Sequence, residues 1–229
     1  MKNIKLNISL LLILIFMVET IYAQDWANLN RYKNENEKLG LPVLNESRVV
    51  FMGNSITEGW GTIRTEFFKG KSYINRGISG QTTPQMLLRF RADVIALQPK
   101  VVVILAGTND IAGNTGPMTL EMIMNNMISM CELAKANDIK VIISSVLPAD
   151  DYPWKPGLHP DKEIPALNIM LQDYANNEDL LYLDYFTSMV DEKNGLKKEY
   201  GADGVHPNER GYKIMEPLVE KAIAEVLNQ

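Results

Sequence analysis

The chain holds only two histidines, His159 and His206, so few groups can carry a proton to and fro near neutral pH. His206 closes the run Asp203-Gly204-Val205-His206. One short loop can bring that carboxylate to that imidazole, fix its tautomer and stabilise the imidazolium. His159 lies between Leu158 and Pro160 with Asp161 nearby but in no matching pattern, and His206 is the favoured base. A base of this kind suits hydroxyl activation, because a serine is a weak nucleophile until its proton is taken. Three other runs combine glycine with polar side chains fit for such work: Gly53-Asn54-Ser55-Ile56, Gly77-Ile78-Ser79-Gly80 and Gly107-Thr108-Asn109-Asp110.

Composition narrows the chemistry further. Lys plus Arg is 23 against 28 for Asp plus Glu, a net charge of -5. Nucleic acids and anionic membranes call for a basic surface, so neither is expected as the main partner. A single cysteine excludes a disulfide framework and a thiolate zinc site. Two histidines leave little room for a histidine metal cluster, and no metal or other cofactor is expected. Neither a G-x-G-x-x-G turn after the first strand nor a P-loop is present, which weighs against a nucleotide or flavin.

These residues need a scaffold, and hydrophobic patterning supplies one. Short apolar or β-rich runs at Val49–Met52, Ser72–Asn75, Val101–Ala106, Val141–Ile143 with Val146, and Leu180–Leu183 read as strands. The third is apolar throughout, as befits a strand buried on both faces. Helical stretches alternate with them: Thr83, taken as a cap before Pro84, to about Leu97; Thr119 to about Ala136; Glu163–Asn176; and Asn208–Leu227, with a bend expected at Pro217. Residues 24–48 read as a polar lead-in with a short helix around Leu29–Leu39. The stretch Pro148–Pro165 reads as a long functional loop. Strands alternating with helices predict an α/β fold, a parallel sheet of five strands with helices on both faces. Residues 24–229 are expected to form one domain. Cys131 and the methionines of Met118–Met130 are read as core, Trp60 as packing near Ser55, Gly77 as a turn glycine and Asp110 as a loop or capping acid.

In open α/β sheets chemistry gathers beyond the carboxyl ends of the strands. Each of the four runs above follows a strand or precedes the last helix. The sequence here resembles the SGNH/GDSL hydrolase superfamily, over about Val49–Asn228. Gly53-Asn54-Ser55-Ile56 is similar to its first block, with Asn54 where the founding motif has Asp. Gly80 matches the second block, Gly107-Thr108-Asn109-Asp110 the third and Asp203-Gly204-Val205-His206 the last. Within the superfamily the chain most resembles bacterial secreted acetylhydrolases similar to platelet-activating-factor acetylhydrolase subunits. The resemblance implies a three-layer flavodoxin-like fold and a serine esterase. Ser55 would be the nucleophile, His206 the base and Asp203 its partner. The backbone N–H groups of Ser55 and Gly80 and the Asn109 amide would form the oxyanion hole.

The expected substrate is a short-chain ester, acetyl for preference and carried on a carbohydrate; Trp154 is the residue expected to meet it, by stacking on a sugar ring or covering the acyl group, if it does not simply anchor its own loop. A lipid or phospholipid acyl group or an acyl thioester is the alternative on the same core, and a non-catalytic sugar-binding descendant a more distant one. At the start of the chain, Lys2 and Lys5 precede the nine-residue apolar run Leu10–Val18, and small Ala23 precedes polar residues. That layout predicts a signal peptide over 1–23, export to the periplasm or medium, and no stable membrane insertion after cleavage.

Overall fold

The structure, a computed structural model, describes residues 25–228; the expected signal peptide lies outside them. A short helix α1 (Lys33–Leu39) precedes β1 (Val49–Gly53), α2 (Ser55–Ile63), α3 (Thr65–Phe68) and β2 (Tyr73–Gly77). Then come α4 (Thr83–Asp93), β3 (Val101–Leu105), α5 (Thr108–Ile111), α6 (Leu120–Lys135) and β4 (Lys140–Ser144). The chain closes with α7 (Pro160–Asn177), β5 (Leu181–Leu183), α8 (Phe186–Met189) and α9 (Glu209–Leu227). The strands form one parallel sheet in the order β2-β1-β3-β4-β5. The order reverses between β1 and β3, so a crevice opens where their carboxyl ends diverge. Register puts Gly53 beside both Gly77 and Leu105, so three strands end at one level.

Period-two alternation divides the sheet's side chains between two cores. Val50, Met52, Val102 and Ile104 face α4, α6 and α7, against Phe90, Met127, Cys131 and Leu167. Val49, Phe51, Val101 and Val103 face α2 and α9, against Trp60, Met215 and Val219. The parallel sheet covered on both faces that the alternation predicts is therefore present, as is the three-layer flavodoxin-like arrangement that the resemblance implies, and Cys131 is a free, fully buried thiol.

Several boundaries differ from the sequence reading. The cap of α4 is Thr82, not Thr83: the Thr82 N–H donates to Gln85 Oε1 at 3.1 Å, while Thr83 turns its own N–H and hydroxyl to Asp110. The helix ends at Asp93, and Ile95–Leu97 is a separate 3-10 turn. Helix α7 starts at Pro160 rather than Glu163, so the long loop ends earlier than expected, and Pro165 lies inside the helix. A proline cannot bond the carbonyl four residues back; here Asn194 Nδ2 supplies that missing donor to Asp161 O at 3.0 Å. Helix α9 runs through Pro217 as one element.

Gly77 is not a turn glycine. It ends β2 pressed against the first turn of α2, where a Cβ would stand 2.1 Å from the Glu58 nitrogen and 2.8 Å from the Asn54 carbonyl oxygen. Only a residue without a Cβ lets strand and helix approach so closely. The lead-in is also more than a tether. The Tyr32 hydroxyl donates to the Gly77 carbonyl, Gln81 Nε2 to Ala27 O at 2.7 Å, and Gln85 Nε2 to Trp26 O at 2.6 Å.

Candidate active site

Ser55 is the first residue of α2, directly after β1. Asn54 caps the helix, its side chain accepting from the Ile56 N–H at 3.0 Å. The first N–H groups of a helix have no partner within it, and the Ser55 N–H donates to no protein acceptor among the described residues. The helix is anchored from below by Trp60, which stacks between Phe67 at 4.9 Å and Tyr212 at 5.5 Å. The Tyr212 hydroxyl in turn donates to the Ile56 carbonyl at 2.8 Å.

Asp203 and His206 sit in the loop before α9. Asp203 Oδ1 accepts from the N–H groups of Val205 at 3.0 Å and His206 at 2.7 Å, which folds the loop over its own carboxylate. Its Oδ2 lies 2.7 Å from His206 Nδ1, and His206 Nε2 lies 2.9 Å from Ser55 Oγ. A carboxylate can only accept, so Nδ1 carries the proton and Nε2 is left to accept from the serine hydroxyl. Burial works to raise the Asp203 carboxyl, but the His206 N–H, its imidazole and the Val205 N–H together hold it below its ordinary value. Two distant parts of the chain, the start of α2 and the loop before α9, thus form one connected relay.

Gly80 lies in the loop after β2 with φ +78°, a conformation glycine adopts freely, and no atom stands within 4 Å of where its Cβ would be. Its N–H, like that of Ser55, makes no hydrogen bond to protein among the described residues. The loop is tied to the nucleophile helix by Glu58, whose carboxylate accepts from the Ser79 N–H at 2.9 Å and from the Ser79 hydroxyl. Asn109 is buried in α5, its amide donating to the Gln81 carbonyl at 2.9 Å, which leaves that amide a second hydrogen. Next to it, Asp110 is an acid cap reached from outside its own helix: Oδ1 accepts from the Thr83 N–H at 2.8 Å and hydroxyl at 2.6 Å.

Burial pushes the Asp110 carboxyl up to about 6, well above the usual carboxylate range. A raised carboxyl contributes stability that is fully present below its ordinary value and is lost as pH rises through the raised one. Asp110→Asn, which cannot titrate, should therefore gain on the wild type between about pH 4 and about pH 7. Thermal unfolding at both pH values measures the gap between the proteins, and a constant gap would contradict the expectation.

Trp154 is 45% exposed and stacks on buried Tyr152 at 5.2 Å. It also stands 6.1 Å from the His206 ring, so it anchors its loop and presents an aromatic face beside the relay. The Tyr152 hydroxyl lies 3.0 Å from Thr108 Oγ1, joining this loop to the helix of Asn109. His159 is elsewhere: it occupies the cap position of α7, 3.8 Å from Asp161. Sequence reading passed over Glu58, Gln81 and Arg89, whose contacts join residues far apart in the chain or buried side chains with no distinguishing pattern.

Comparison with known proteins adds an independent finding. Residues 51–214 match the GDSL-like Lipase/Acylhydrolase family. A GDSL-like lipase from Bacteroides thetaiotaomicron, of solved structure, is 50% identical, covering 87% of this chain and 98% of that one with a TM-score of 0.85. Esterase TesA of Pseudomonas aeruginosa is 27% identical over 172 residues, 73% of this chain and 79% of its own. An acetylxylan esterase from Geobacillus stearothermophilus shares the fold at 18% identity, with a TM-score of 0.61 over 79% of this chain and 95% of that one.

Proposed function

Because the chain belongs to the GDSL-like lipase/acylhydrolase family and is a carboxylic ester hydrolase by class, we propose that it is an exported serine esterase. Its substrate in this reading is a short acyl ester, acetyl above all, on a carbohydrate. The observation that carries the chemistry is the unbroken Asp203–His206–Ser55 chain of hydrogen bonds.

Ser55 Oγ attacks the ester carbonyl carbon while His206 Nε2 takes its proton. Negative charge moves to the carbonyl oxygen, where the free N–H groups of Ser55 and Gly80 and the second hydrogen of the Asn109 amide receive it. The intermediate collapses, His206 returns the proton to the departing alcohol oxygen, and an acyl-serine remains. Water, deprotonated by His206, then attacks that acyl group and releases the acid and the free serine. Asp203 stays charged throughout and stabilises the imidazolium.

The sugar reading is supported by Trp154, a half-exposed ring 6.1 Å from that of His206, the group that returns a proton to the departing alcohol, and by a fold shared with an acetylxylan esterase. Export is supported by the amino-terminal pattern, and no described helix is long and apolar enough to cross a membrane. Removal of one oxyanion donor, Asn109→Ala, should lower kcat by about 10²–10³-fold. Steady-state kinetics on an aryl acetate, with thermal unfolding as the control for folding, measures this. The whole reading is tested on a panel of aryl acetates, longer acyl chains, acetylated sugars and acetylated phospholipid. Highest kcat/KM on acetylated sugars is expected; a preference for long acyl chains or phospholipid would overturn the substrate assignment.

A further inference from the structure

Arg89 is fully buried in α4. A guanidinium is costly to bury unless its donors are engaged and its charge is paired. Here Nε donates to Gln81 Oε1 at 2.5 Å, one terminal nitrogen to the Gly53 carbonyl at 3.0 Å, and the other to Asp93 Oδ2 at 3.0 Å. Asp93 supplies the counter-charge and is itself held by Asn36 Nδ2 at 2.8 Å.

The two neutral acceptors lie at the reaction centre's own supports. Gly53 ends β1, two residues before Ser55. Gln81 follows Gly80, and its carbonyl accepts from the Asn109 amide. Its side-chain amide is aimed by the Ala27 carbonyl, which takes the Nε2 hydrogen and turns Oε1 to Arg89. One planar fork therefore spans the nucleophile turn and the loop that carries Gly80 and accepts from Asn109.

We propose that Arg89 is a positioning residue for acyl transfer, which through Gly53 and Gln81 sets the separation between the Ser55 hydroxyl and the donors of Gly80 and Asn109. The proposal rests on the reading of Ser55 as nucleophile. Oxyanion donors act only within about 2.7–3.1 Å of the developing charge, and a misplacement of about 1 Å costs on the order of 10²-fold in rate. Lysine would keep the charge opposite Asp93 but has no planar fork to bridge both acceptors. A tie that served stability alone would leave every folded molecule fully active.

The test compares wild type, Arg89→Lys and the double variant Arg89→Met with Asp93→Leu, which removes both buried charges together. The kcat on an aryl acetate is expressed per active site titrated to completion with a fluorophosphonate, so unfolded protein does not count. Both variants should lose about 10–100-fold in kcat with KM unchanged, and a boronic-acid mimic of the tetrahedral intermediate should weaken in parallel. Wild-type kcat per titrated site in either variant would overturn the proposal, however far its Tm has fallen. Undiminished activity in Ser55→Ala would overturn the nucleophile reading, and the proposal with it.

Discussion

Ser55→Ala is expected to lower kcat on the order of 10⁶-fold, the loss that follows when a serine hydrolase is deprived of its nucleophile. The hydroxyl makes one side-chain contact, to His206 Nε2, and no core packing depends on it, so stability should change by less than about 0.5 kcal/mol. His206→Ala should cost as much, and the double variant no more, because the two groups act as one unit. Single-turnover and steady-state rates on an aryl acetate measure all three. A loss smaller than about tenfold in Ser55→Ala would assign the attack to another group.

Asp203→Asn should cost about 10⁴-fold in kcat with the fold intact. An asparagine can keep its oxygen on the Val205 and His206 N–H groups, as Oδ1 does now. Its amide nitrogen then faces His206 Nδ1 and can only donate there. Nδ1 is forced to accept, the ring proton moves to Nε2, and the imidazole can no longer take the serine's proton. Kinetics beside thermal unfolding separates this from simple destabilisation. Near-normal kcat in a stable Asp203→Asn would show that the tautomer is set by something else.

The centre of the sheet was legible because β1 and β3 are apolar on both faces; Val101–Leu105 admits little else. Ser55, Gly80, Asn109, Asp203 and His206 were legible because each sits where a strand or the last loop delivers the chain to one rim. The start of helix α7 lies three residues before the expected Glu163, because Pro160 at the first turn, where a proline opens a helix, was counted with the preceding loop. That Pro165 is tolerated depends on Asn194, a partner 33 positions from the carbonyl it serves. Gly77 was misjudged for a similar reason: the turn it suggested is local, whereas the close approach to α2 that requires it is tertiary. The Arg89 fork escaped notice altogether. An arginine in an amphipathic helix reads as a solvated charge until packing shows it buried against Gly53 and Gln81.

The central claim, that the Ser55 hydroxyl is the group activated by His206, is tested most directly by mapping a fluorophosphonate adduct by mass spectrometry. A single adduct per chain is expected, on the peptide holding Ser55, and its formation should be lost in Ser55→Ala and greatly slowed in His206→Ala. An adduct on any other residue, or labelling that persists in Ser55→Ala, would contradict the account.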